Sequence, residues 1–226
     1  MKYQKKPIVS KIEEKKVDLL LTILSIIQGL AITRLYEIVF TRTNGIDFNW
    51  NDMSFIFHAL FCFLVIIRFF ETIFLAFIDY EKVVESFYEV ILIFLVGAFE
   101  YWVIESLNNF SAVKFYEKVT VLALLTMIGY SIATFKISRR KNKERIFKGS
   151  LIAYKREMIL QTVNIIVPIV ILIISILVFK NFISSDLVLT FSALCLCFLI
   201  TVNIVISWIL TIYEPIKNVT SIAKSK

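Results

Sequence analysis

The chain has 226 residues, 58% of them hydrophobic and 21 of them Phe, with a mean hydropathy of +0.80 and a formal charge of +7. Charged residues make up 19%, against roughly 25% in an ordinary soluble domain. A water-soluble chain of this size has no interior large enough for that apolar load, which excludes a soluble enzyme, a specific nucleic-acid-binding domain and a disordered chain.

Residues 1–16 carry six lysines, with Ser10 and Glu13 at capping-box spacing and Ile8, Val9 and Ile12 as an apolar edge. They are expected to form a cytoplasmic amphipathic N-terminus. Six apolar stretches follow, at 17–40, 54–78, 86–107, 115–137, 159–179 and 187–212. Each approaches the roughly 20 residues that a helix needs to cross about 30 Å of hydrocarbon. Runs of that length, with only five Gly and three Pro, argue for helices and against a β-barrel. The expected fold is all-α, a polytopic membrane protein with six transmembrane helices. The first run is too long for a signal-peptide core and closes without a small-residue cleavage site, so it reads as a membrane helix.

Nineteen of the 25 Lys and Arg fall on one side of these spans, four on the other and two within them. The positive-inside rule places both termini in the cytoplasm, and six crossings require the same independently. The organisation expected is an N-terminal segment 1–16, helices one to four over 17–137, a basic amphipathic cytoplasmic segment 138–158, a hairpin 159–213 and a tail 214–226. Cys62, Cys195 and Cys197 fall inside spans, which points to apolar packing rather than a disulfide framework. His58 is the only histidine and is expected to be interfacial or hydrogen-bonded; no metal site is expected.

Six of the ionisable residues within the first three spans are the candidates for charge at membrane depth: Arg34, Glu37, Arg68, Glu71, Glu89 and Glu100. A charge at the bilayer centre costs about 2.5–3.5 kcal/mol on insertion scales, so these groups need partners or water. Counting depth from the span midpoints pairs Arg34 with Glu100 and Arg68 with Glu89, with Glu37 and Glu71 sharing each Arg at i+3. Two readings stand: the pairs lock helices one to three together, or they line an ion pathway. In the last hairpin, Gln161, Asn164 and Ser175 share one helical face with Pro168, and Asn203, Ser207 and Thr211 share a face of the sixth helix. Asn164 should lie level with Asn203, which suits either amide-to-amide adhesion or a polar pore lining. Pro168 frees a backbone carbonyl and is a candidate hinge. In helix one, Ser25, Gly29 and Thr33 form a row of small residues that admits a close helical neighbour.

Arg139, Arg140, Lys141, Lys143, Arg145 and Lys148 make the densest basic run, interleaved with Phe147, Leu151, Tyr154 and Met158. It reads as an amphipathic segment on anionic lipid headgroups, or as a site for an anionic ligand. Phosphate-binding loops, hydrolase elbows, metal-binding motifs and a selectivity-filter signature are all missing from the sequence, so neither an enzyme nor a cofactor is expected.

The stretch Ser25-Ile26-Ile27-Gln28-Gly29-Leu30-Ala31-Ile32-Thr33 resembles the opening helix of an uncharacterised family of small bacterial multi-pass membrane proteins. The resemblance covers about a tenth of the chain and implies no known activity. The leading expectation is a homo-oligomeric ion channel or pore of the bacterial inner membrane, of the kind that could depolarise a membrane as a stress or antiviral effector. A transport component is the alternative, either a small carrier or the membrane subunit of an exporter driven by a separate cytoplasmic ATPase. A non-conducting scaffold or immunity protein is the third. The expected partners are the lipid bilayer with its anionic headgroups, further copies of the chain, and a separate cytoplasmic regulator.

Overall fold

The structure is a computed structural model and describes residues 8–43, 50–79, 87–141, 150–179 and 186–209. Among these, six helices follow in chain order: α1 (Ile8–Thr43), α2 (Trp50–Asp79), α3 (Phe87–Glu105), α4 (Ala112–Lys141), α5 (Ser150–Phe179) and α6 (Asp186–Trp208). No strand occurs among the described residues. Four helices contain stretches long and apolar enough to cross a membrane: Leu21–Thr43, Met53–Thr72, Ala112–Ile132 and Leu187–Trp208. Within α5, Thr162–Val178 is apolar but shorter.

The helices outrun the expected spans. α1 runs unbroken over 36 residues, about 54 Å, so residues 8–16 continue the first apolar helix rather than forming an element of their own. Nothing between Ile8 and Val17 breaks a helix, since Gly and Pro are both absent there. Of the expected basic segment 138–158, residues 142–149 lie outside the described residues. Its first residues extend α4 to Lys141, and residues 150–158 open α5.

Contacts between helices fix their relative directions. Ile27, Gln28 and Arg34 on α1 meet Gly97, Glu100 and Glu105 on α3 at sequence separations of 70, 72 and 71, so α1 and α3 run parallel. His58 meets Tyr116 and Thr72 meets Tyr130, both at a separation of 58, so α2 and α4 run parallel. Trp102 meets Lys118 and Leu92 meets Gly129: a step back along α3 is a step forward along α4, and these two are antiparallel. The Cys197 thiol reaches the Phe57 carbonyl, and Ser207 lies beside Glu71, so α6 descends with α2.

The most extensive helix pairs are α4 with α5 and α2 with α6; the α5–α6 contact is smaller. The core is aromatic and aliphatic, built on Phe55, Phe61, Ile66, Leu107, Phe115, Tyr116 and Leu196, all at most 2% exposed. The exterior is apolar too. Leu30, Phe191 and Phe198 are more than 60% exposed, as a surface facing hydrocarbon requires and one facing water avoids. These features are those of a membrane protein.

Gly97 sets the α1–α3 spacing. A Cβ at this position would stand 2.7 Å from the Ile27 Cγ2 methyl. That close approach brings the polar side chains of α1 within reach of the two glutamates of α3.

Candidate functional site: a polar cavity inside the bundle

Two groups of charge occupy the helices. The first joins α1 to the end of α3. Arg34 Nε donates to Glu105 Oε1 at 2.5 Å and Nη2 to Oε2 at 3.2 Å, a two-pronged grip, while Nη1 reaches Glu37 Oε2 at 3.1 Å. This group is half open, with side-chain exposures of 29% for Arg34, 31% for Glu105 and 54% for Glu37. The expected partner of Arg34 was Glu100, and that pairing is corrected: the partner is Glu105. Midpoint counting assumes that two helices are centred on each other. Here α3 stops at Glu105 while α1 continues to Thr43, so the true register differs by about a turn.

The second group is buried. Arg68 Nη1 donates to Glu71 Oε2 at 2.6 Å, one turn along α2, and Nη2 donates to Asn164 Oδ1 of α5 at 2.5 Å. Arg68 and Glu71 are both buried. With Glu71 and Asn164 holding the guanidinium, the expected Arg68–Glu89 pair is not among the ion pairs of the described residues; the side chain of Glu89 lies outside them. The expected amide-to-amide bond between α5 and α6 also gives way. Asn164 spends its oxygen on Arg68, and Asn203 Oδ1 has no partner. The physical reason is that a buried guanidinium outbids a neutral amide for an acceptor.

Glu100 stands apart from both groups. It is 2% exposed, and among the described residues the one side-chain hydrogen bond it accepts comes from Gln28 Nε2 to Oε2 at 3.0 Å. Its Oε1 has no partner, and neither have Gln28 Oε1 and Glu71 Oε1. No ion pair joins Glu100 to a cation among the described residues.

A cavity of about 70 Å³ lies between these helices, walled by apolar side chains and by Arg68, Glu100, Thr126, Tyr130, Asn164 and Asn203. Pro168 also lines it. It has no N–H to offer the Asn164 carbonyl one turn earlier, so an acceptor is freed at the cavity wall. The space exceeds what one water needs and suits a small ion with a water or two.

The remaining sequence candidates fall as follows. Ser207 is buried beside Glu71, and Ser175 is buried with its hydroxyl returned to the Ile171 carbonyl at 2.7 Å. The backbone of Gln161 is helical, while its side chain, like those of Arg139, Arg140 and Lys141, is outside what is described. Lys143, Arg145, Lys148 and Thr211 lie outside the described residues altogether. His58 is hydrogen-bonded, one of the two expected forms, and buried in the core. Its Nδ1–H donates to the Ser54 carbonyl at 2.6 Å, and Phe110, Phe115 and Tyr116 ring it at 4.8–5.3 Å. All three cysteines are free thiols. No group of three or more His, Cys, Asp or Glu suited to a metal ion occurs among the described residues.

Sequence reasoning missed Gln28 and Glu105. Each carried a signal: Gln28 is a lone amide inside an apolar run, and Glu105 is a second acid on the helix that bears Glu100. No protein-family model matches the chain, and neither the curated proteins nor the solved structures contain a significant match to it.

Proposed function

We propose that the protein is a channel or pore for small ions in a bacterial inner membrane, crossing six times with both termini in the cytoplasm, and that its ion path runs through the interior of the helix bundle. The single observation that carries this reading is the cavity walled by Arg68, Glu100, Asn164 and Asn203. A purely adhesive polar network leaves no acceptors over, because each costs free energy when buried unpaired. This one leaves two on residues that line a space of the right size, Glu100 Oε1 and Asn203 Oδ1. Six crossings are supported by register. α3 lies alongside α1 and α4, and α5 alongside α4, so helices that do not meet the spanning measure share the depth of helices that do. The parallel pairs α1–α3 and α2–α4 fit a chain that turns back at each crossing, which keeps its ends on one face.

The homo-oligomer remains part of the proposal, with packing rather than conduction as its role. Ser25, Gly29 and Thr33 face outward, and a Cβ at Gly29 would meet nothing within 4 Å. A small carrier is the second reading, favoured by Pro168, which places a weakened turn of α5 against the cavity. Flux of monovalent ions into liposomes holding the purified protein tests the proposal. The wild type should conduct and Glu100→Gln should lose most of the flux. Equal flux in protein-free and protein-loaded vesicles refutes it, and full flux in the variant removes the path from this cavity.

A further inference from the structure

We infer that the cavity holds a partly dehydrated monovalent alkali cation, bound by Glu100 Oε1, Asn203 Oδ1 and the Asn164 main-chain carbonyl. This deepens the ion-path reading and rests on it.

The argument is one of donors against acceptors. Glu100 and Asn203 are 2% and 3% exposed, and each has an oxygen without a partner while its residue lines the cavity. Pro168 leaves the Asn164 carbonyl without its helical donor at the same wall. Every orphan at this wall is an acceptor. A proton on Glu100 Oε1 together with one water would satisfy the same three oxygens as a neutral set, and the melting test below separates that arrangement from a bound cation. One cation answers all three oxygens together. Arg68 does not fill this role in the structure: its Nη1 and Nη2 bond Glu71 and Asn164, and no ion pair joins it to Glu100 among the described residues.

Charge count and hardness then select the class. One carboxylate among neutral oxygens matches a single positive charge, whereas divalent ions draw on several carboxylates. The wall is mostly apolar and its two unpartnered side-chain atoms are both oxygens, so it gives soft metals nothing to prefer, and no cluster of three or more His, Cys, Asp or Glu exists among the described residues to bind them. At about 70 Å³ the space admits a bare ion with one or two waters but not a full hydration shell. Freed carbonyls beside a helix interruption are the usual means of replacing lost hydration inside a membrane.

The test measures binding apart from transport. Detergent-solubilised full-length protein is melted in chloride salts of sodium, lithium, potassium and choline at one ionic strength, and the same protein is assayed for flux in liposomes. Sodium should raise the melting temperature saturably, by about 5–10 °C at a hundredfold excess over Kd, and choline should not. The rise should vanish in Glu100→Gln and shrink at least tenfold in apparent affinity in Asn203→Ala, the second variant guarding against misfolding of the first. A wild type that melts identically in all four salts overturns the site, as does an undiminished sodium response in Glu100→Gln. Flux without cation-dependent melting sinks this inference while leaving the ion-path reading standing. Cation-dependent melting without flux keeps the site and sinks that reading.

Discussion

Arg68→Met measures what the buried charge group contributes. Methionine keeps the unbranched stem and its packing but removes the guanidinium, and with it the bonds to Glu71 at 2.6 Å and Asn164 at 2.5 Å. Each hydrogen bond to a charged group contributes about 1.5–3 kcal/mol, and stripping one partner from a buried pair costs about 3–5 kcal/mol because the other charge is stranded. The two estimates agree on about 4 kcal/mol. At about 2–4 °C per kcal/mol for a chain of this size, the melting temperature should fall by about 10 °C. Thermal unfolding in detergent, followed by tryptophan fluorescence, reads this directly. The double variant Arg68→Met with Glu71→Gln removes the stranded charge as well and should recover a substantial part of the loss, a coupling of about 0.5–3 kcal/mol. By contrast, Arg34→Met should lower the melting temperature far less than Arg68→Met, because its group is open and its glutamates can reach water or headgroups. A wild-type melting temperature for Arg68→Met, or a double variant no more stable than the single one, would refute the reasoning.

Two glycines should behave in opposite ways. Gly97→Ala drives a Cβ to 2.7 Å from a methyl of the β-branched, stiff Ile27 and should destabilise by about 1–3 kcal/mol, with Gly97→Val worse. Gly29→Ala meets open space and should be neutral or stabilising by up to about 1 kcal/mol, which the same melting assay checks. Gly29→Leu should leave the subunit folded but shift any oligomer toward smaller species in light scattering, since it fills the outward row of Ser25 and Thr33.

The sequence carried the membrane character and the two i+3 pairs, because both depend on residues close together in the chain. Arg34–Glu37 and Arg68–Glu71 need only helical geometry, and six apolar runs need only hydropathy. The partners across helices were less legible. Depth counting gives height but neither azimuth nor true register. Glu100 and Glu105 lie on one helix only five residues apart, yet one faces Gln28 in the core and the other grips Arg34 at the half-open rim. Chain adjacency misled in the same way for the last hairpin. α5 and α6 are joined by a short connection, but α5 lies mainly on α4 and α6 on α2, so Asn164 of α5 accepts from Arg68 and Ser207 of α6 sits beside Glu71, while Asn203 Oδ1 is left without a partner.

The alternating directions of the helices have an electrical consequence. Each helix carries a macrodipole equivalent to about half a charge at either end, and opposed neighbours such as α3 and α4 set unlike ends side by side. The backbone therefore supplies little net potential to the interior. With Arg68 and Glu71 neutralising each other, an ionised Glu100 is the one charge left over in the buried cavity wall. The transmembrane voltage acts on whatever counterion joins it there. A monovalent ion that traverses the full drop gains or loses about 2.3 kcal/mol per 100 mV, and one that stops at this depth feels a fraction of that. If the cation inferred above occupies the cavity, its occupancy is expected to vary with the membrane voltage, which flux measured at imposed potentials would check.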